Sequence, residues 1–244
     1  MPTPSSNAPS PKNENSTRIA RQQLLADFRA IESPRILVIG DLILDRYTWG
    51  DVPRISPEAP VLILKADRRE DRLGGAASVC GLLRGMDVHV SCLGAIGDDS
   101  DGRKLLQLLV EQDIDVANVL CDSNRMTTVK ERFMGRAANR HPHQILRVDS
   151  EQTDALDAAL QATAITAVDK SLQQFDAVLI SDYAKGVCTQ QLLAAVIAAA
   201  AAANLPVLVD PARTEDYSNY RGATLVTPNR VEAELVTGLK IDSV

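Results

Sequence analysis

The sequence has no excess of basic charge, no paired cysteine motif and no apolar run long enough to cross a bilayer. Across 244 residues, 26 Lys and Arg stand against 32 Asp and Glu, a formal net charge of -6. That balance argues against a nucleic-acid surface, though not against a local anion site. The four cysteines, Cys80, Cys92, Cys121 and Cys188, form neither a CxxC pair nor a metal-ligand spacing. The N-terminus opens with Pro, Ser and Asn instead of a basic cap and an apolar core, so no signal peptide is read. The cysteines are therefore expected to be reduced thiols in a cytoplasmic protein. The longest apolar stretch, 191–203, is mostly alanine and too short to span a membrane. Neither a GxGxxG fingerprint nor a Walker-type phosphate loop is present. His141 and His143 have no third ligand nearby in sequence, so no metal site is read there.

What is present is alternation. Residues 1–32 read as a disordered tail followed by a short helix over 17–31, and 33–244 as one domain. Apolar runs at 35–41, 62–67, 88–99, 176–186, 206–213 and 223–229 read as strands. Helical patterns are expected at 74–85, after Asp98 or Asp99 (with Leu105, Leu106, Leu108, Leu109 and Val110 on the buried side), from Thr153, and over 189–203. Continuous apolar strands alternating with helices predict an α/β fold around a parallel sheet covered on both faces. The segments 45–67 and 127–149 break the rhythm with more polar strands. They read as a small sheet projecting over the crevice, with "RYTWGDVPRISPEAP" supplying turns.

Ligands of such folds bind outside the carboxyl ends of the strands. Asp41 and Asp45, in "GDLILD", are placed to accept hydrogen bonds from a polyol, or to cap a turn and be solvated. Gly74 and Gly75 would let backbone approach a ligand at a helix N-terminus, or simply start that helix. Lys130 and Arg132 project from the same face of a strand, which suits a substrate phosphate. With Arg136, Arg140 and Arg147 they also read as a solvated edge. Asn229 and Glu232 have the spacing of a capping box and equally of a magnesium–phosphate site.

The stretches "GDLILDRYTWGDVPRISPEAPV" (40–61), "RLGGAASV" (72–79), "ISDYAKG" (180–186) and "VLVDPARTEDYSNYRGATLVTPNRVEAE" (207–234) resemble the ribokinase-like (PfkB) carbohydrate kinases, over about 33–240. Within that family they resemble the subgroup acting on heptose 7-phosphate. The resemblance implies a three-layer α/β sandwich with a small β-sheet lid, covering segments 45–67 and 127–149. It implies ATP- and Mg2+-dependent phosphorylation of a sugar phosphate at its anomeric hydroxyl, toward ADP-heptose for the lipopolysaccharide core. Asp41, Gly74 and Gly75 are implied to line the sugar pocket. Ser78 stands where the family has asparagine, so a hydroxyl replaces an amide. Asn229 and Glu232 match an Asn-x-x-Glu element that orders magnesium and phosphate. The lid implies a homodimer. Family members run on for roughly 80–100 residues, through a Gly-Ala-Gly-Asp element whose aspartate is the base and whose amides stabilise the transferred phosphoryl group. The domain is therefore expected to be incomplete and inactive alone. The competing expectation is a non-catalytic sugar-phosphate or nucleoside binding protein of the same fold.

Overall fold

The computed structural model describes residues 21–24, 26, 33–136 and 141–242. Residues 21–24 and 26 are helical. The rest of the helix expected over 17–31, and Arg140, lie outside the described residues.

From Arg35 onward the chain builds two sheets. Ten strands appear: β1 Arg35–Gly40, β2 Leu42–Ile55, β3 Leu62–Gly75, β4 His89–Gly97, β5 Asp115–Asp122, β6 Thr128–Arg136, β7 His143–Ser150, β8 Ala177–Ser181, β9 Val207–Asp210 and β10 Leu225–Val226. Five α-helices join them: α1 Ala76–Arg84, α2 Ser100–Glu111, α3 Ala158–Ser171, α4 Gln190–Ala202 and α5 Arg230–Thr237. The main sheet has six strands in the order β10-β9-β8-β1-β4-β5, all paired in parallel. The small sheet has four, in the order β3-β2-β6-β7.

The continuous apolar runs are explained by burial on both faces. In β1, Leu37 and Ile39 join a core with Val168 of α3 and Leu192, Val196 and Ala200 of α4. Val38, between them, joins a second core with Ala77 and Cys80 of α1 and Leu105 and Leu109 of α2. Side chains alternate across a strand, so neither face can be polar. This is the three-layer α/β arrangement expected from the alternation. Asp99, Asp157 and Thr189 cap α2, α3 and α4 by accepting the amides of Gly102, Leu160 and Leu192. Among the described residues no helix is long and apolar enough to cross a membrane, and the cysteines are unpaired.

Several local expectations are corrected. "RYTWGDVPRI" is strand, not turn. Irregularities at Trp49/Gly50 and Asp51/Arg54 absorb its glycine and proline. Gly74 and Gly75 end β3 instead of starting the helix expected over 74–85, which begins at Ala76. The helix expected from Thr153 begins at Ala158, because 151–157 is held as a connection in which the Leu156 amide donates to the Gly186 carbonyl at 3.0 Å. Strand β5 has no clean alternation in sequence, as befits an edge strand. Val110 is exposed, on the outer side of α2.

The strand order reverses at β1. The chain proceeds from β1 to β4 on one side, and β8 lies on the other. The crevice of such a fold opens at the carboxyl ends of the strands flanking this point. Here the backbones are close: a Cβ on Gly40 would lie 2.0 Å from the Ser181 carbonyl oxygen. Substituting Gly40→Ala is expected to force β1 and β8 apart and to lower stability by about 2 kcal/mol or more. Urea unfolding checks this, and a loss under about 0.5 kcal/mol would contradict it.

Candidate active site

Asp41 follows β1 at the switch point and is 1% exposed. Its carboxylate accepts the backbone amides of Tyr183 at 2.8 Å, Lys185 at 3.0 Å and Val187 at 3.1 Å. Its own carbonyl accepts the Ala76 amide at 3.0 Å. The expectation that Asp41 offers its carboxylate to a sugar hydroxyl is corrected. The group is closed off from solvent and turned toward the 183–187 loop, which it shapes.

The two glycines answer to the same packing. A Cβ on Gly74 would stand 2.8 Å from the Asp45 carboxyl carbon, and one on Gly75 would stand 2.4 Å from the Asp41 carbonyl oxygen. Gly75 also has φ 55°, a region that disfavours other residues. The first amide of α1 is therefore spent on Asp41 and not held open for a ligand. The Ser78 hydroxyl donates to the Gly75 carbonyl at 2.7 Å, turned back onto its own helix.

Asp45 lies four residues into β2, one-fifth exposed, and accepts a hydrogen bond from Arg132 of β6. Burial works against the Arg132 charge, but the Asp45 hydrogen bond and the fields of Asp45, Tyr47 and Asp149 together outweigh it and raise the guanidinium's pKa. Arg132 also lies 5.3 Å from the Tyr47 ring centroid. Lys130, on the same face of β6, reaches Asp149 at 3.1 Å and Glu151 at 3.5 Å. Glu151 in turn accepts from Lys185 at 2.8 Å. The ion pair with Lys185, then the field of Lys130, holds Glu151 below the usual carboxylate range. Lys130 and Arg132 do share a face, as expected, but each is neutralised by a carboxylate. Sequence reasoning missed Lys185 and Glu151. The quoted "SDYAKG" loop was the available signal for the first; nothing in the sequence marked the second.

Behind the 183–187 loop, Arg125 is buried. It donates to the carbonyls of Lys185 at 2.9 Å, Gln152 at 3.4 Å and Asp154. Asp182 accepts the Ala184 amide and the Tyr220 hydroxyl, both at 2.8 Å. Burial, and to a lesser degree Asp41, pushes its pKa up. Asp41, Asp182 and Cys188 approach one another closely, but the two carboxylates are occupied by N–H and O–H donors. Burial pushes the Cys188 thiol well up, away from the thiolate a metal would need.

At the carboxyl ends of β9 and β10 the other candidates meet. Asn229 and Glu232 form a reciprocal capping box: the Asn229 side chain accepts the Glu232 amide at 3.0 Å, and Glu232 Oε2 accepts the Asn229 amide at 2.9 Å. Burial, then the charge of Glu232, raises the pKa of Asp210. The capping box commits only Oε2 of Glu232, which leaves Oε1 as a hard oxygen donor of the kind Mg2+ takes.

A model of the pfkB family carbohydrate kinases matches residues 33–244. Bifunctional protein HldE of Geobacter metallireducens is 44% identical over 220 residues, covering 90% of this chain and 43% of that protein. D-beta-D-heptose 7-phosphate kinase of Bordetella bronchiseptica is 44% identical over 208 residues, covering 85% and 63%. The chain thus spans less than two thirds of the length of these relatives. Among solved structures, Arabidopsis thaliana ribokinase complexed with ribose and ATP aligns with a TM-score of 0.59 at 14% identity, over 87% of this chain and 65% of that one. The tetrameric inhibited form of Escherichia coli phosphofructokinase-2 aligns with a TM-score of 0.61 at 17% identity, over 86% and 66%. These distant likenesses show the same fold.

Substituting Asp41→Asn is expected to cost about 2 kcal/mol, because an amide nitrogen would face a buried N–H donor. Urea unfolding measures it. A change below about 0.5 kcal/mol would remove Asp41 from its structural role.

Proposed function

The chain belongs to the pfkB family of carbohydrate kinases, and on that premise we propose that it carries the sugar-phosphate side of a heptose 7-phosphate kinase. The observation that carries this reading is the convergence of Asp45, Lys130, Arg132 and Lys185 beside the switch-point crevice. The reaction is transfer of the ATP γ-phosphoryl group to the anomeric hydroxyl, giving heptose 1,7-bisphosphate. It serves ADP-heptose and lipopolysaccharide core synthesis in the cytoplasm.

In this reading Asp45 accepts a sugar hydroxyl. Arg132 holds that carboxylate in position through its hydrogen bond. Lys130 faces the 7-phosphate. Gly74 leaves the space in which the Asp45 carboxylate sits. Asp210 and Glu232 hold Mg2+, which when bound neutralises charge on the nucleotide phosphates. Asn229 fixes Glu232 through the capping box. The small sheet is the lid, and a second copy of the chain packs on it to give a homodimer. The exposed apolar side chains Ile55, Val61, Leu62, Leu146 and Val148 on that sheet and its connecting turn favour such a contact.

Heptose 7-phosphate is expected to raise the melting temperature, since it binds only the folded form. Substituting Lys130→Ala should weaken the phosphorylated sugar about 10- to 100-fold, the worth of a charge-assisted hydrogen bond. It should leave the unphosphorylated sugar nearly unchanged. Equal weakening of both would return Lys130 to packing within the sheet.

The 244 residues contain no Gly-Ala-Gly-Asp, the element that supplies the base and the oxyanion amides in the family. Expressed alone, the polypeptide is expected to bind the sugar phosphate without turnover. An assay with ATP, Mg2+ and heptose 7-phosphate decides this. Turnover near ~1 s⁻¹, an ordinary enzymatic rate, would overturn this expectation and turn the search for a base to Asp182, Asp210 and Glu232.

A further inference from the structure

Two ammonium groups from separate parts of the fold meet on one carboxylate. Lys130 comes from β6 of the small sheet and Lys185 from the loop after β8 of the main sheet. Their Nζ atoms lie 3.5 and 2.8 Å from the two oxygens of Glu151. Lys185 is held by its backbone: its amide donates to Asp41 and its carbonyl accepts from Arg125. Arg125 also grips the carbonyls of Gln152 and Asp154, just past Glu151. The main chain on both sides of the pair is therefore fixed, while the side chains can exchange partners. Asp149, the other acid near Lys130, lies 3.1 Å from it and also has Arg147 at 2.9 Å, so it keeps a cation if Lys130 turns away. Glu151 is held by the two lysines alone among the described ion pairs. The three side chains are about one-sixth to one-quarter exposed, so the cluster is open to a ligand.

We propose that Glu151 is an internal counter-ion standing in the phosphate position between Lys130 and Lys185, and that the phosphate of a phosphorylated substrate displaces it. The identity of that substrate as a sugar phosphate rests on the function proposed above; the displacement does not. A phosphate carries more negative charge than a carboxylate and offers three acceptor oxygens instead of two, so it can serve both ammonium groups at once. A neutral sugar has no group able to release them. The counter-ion thus acts as a specificity element: it keeps Lys185 paired, and shares Lys130 with Asp149, when no phosphate is present, and it sets a cost that only an anion recovers. A carboxylate with a merely structural role would hold the small sheet to the main body and would not compete with phosphate.

The test is calorimetric titration of the full chain with inorganic phosphate and, separately, with heptose 7-phosphate. Substituting Glu151→Gln removes the charge and keeps the shape. It is expected to tighten inorganic phosphate about tenfold and to leave unphosphorylated sugar unchanged. Glu151→Asp, one methylene shorter, cannot reach both lysines and should shift affinity the same way if the glutamine variant folds poorly. Adding Lys185→Ala to either variant should abolish the gain. Unchanged or weaker phosphate binding in both single variants overturns the proposal, as does a gain that survives loss of Lys185. If phosphate tightens as expected but heptose 7-phosphate binds no better than phosphate itself, the counter-ion stands and the heptose reading falls.

Discussion

The site depends on a buried carboxylate turned toward backbone rather than toward ligand. Asp41 sits where β1 ends and the strand order reverses, and it gathers three amides of the 183–187 loop. A buried charge is tolerated only when hydrogen bonds replace water, and here amides do so. Through its carbonyl the same residue takes the first amide of α1. Main sheet, loop and helix are thereby tied at one point. Lys185 gains its position from this, since its own amide is one of the three. Arg125 repeats the device in opposite charge, as a buried cation gathering carbonyls from the loop and from the connection leaving β7.

Around this frame the polar side chains of the small sheet are paired across strands. Asp45 meets Arg132 across the β2–β6 pair, and Lys130 meets Asp149 across β6–β7. Such partly exposed pairs add little stability individually. Their value is positional: each pair fixes where its charged groups stand on the sheet.

The parallel core was legible because burial on both faces leaves apolar runs in β1, β4 and β8, and alternation with helices needs no tertiary knowledge to be seen. The charged pair on β6 was legible from strand periodicity. Asp41 was located but misassigned. Its position at a strand end suggested a ligand group, while its hydrogen bonds come from residues more than 140 positions away, which no local pattern encodes. Glu151 was invisible for a related reason. It lies in a connection between elements, and its meaning arises only when β6 and the loop after β8 are brought together. Strand β2 was misread because glycine and proline normally interrupt strands, and the irregularities that accommodate them are products of pairing with β3.

The small sheet is made by two separate excursions of the chain. Strands β2 and β3 pair as antiparallel neighbours, as do β6 and β7, and the seam between them is the parallel pair β2–β6. Each ribbon closes on nearby sequence, but the seam joins partners such as Asp45 and Lys130, 85 positions apart (130 − 45). Contacts of long sequence separation form late, because loop closure must come first. The seam therefore carries the long-range part of the small sheet's loop-closure cost. Asp45 lies on one side of that seam and Lys130 with Arg132 on the other. The two arms of the proposed sugar-phosphate site thus come from different ribbons, and only closure of the seam brings them to one place.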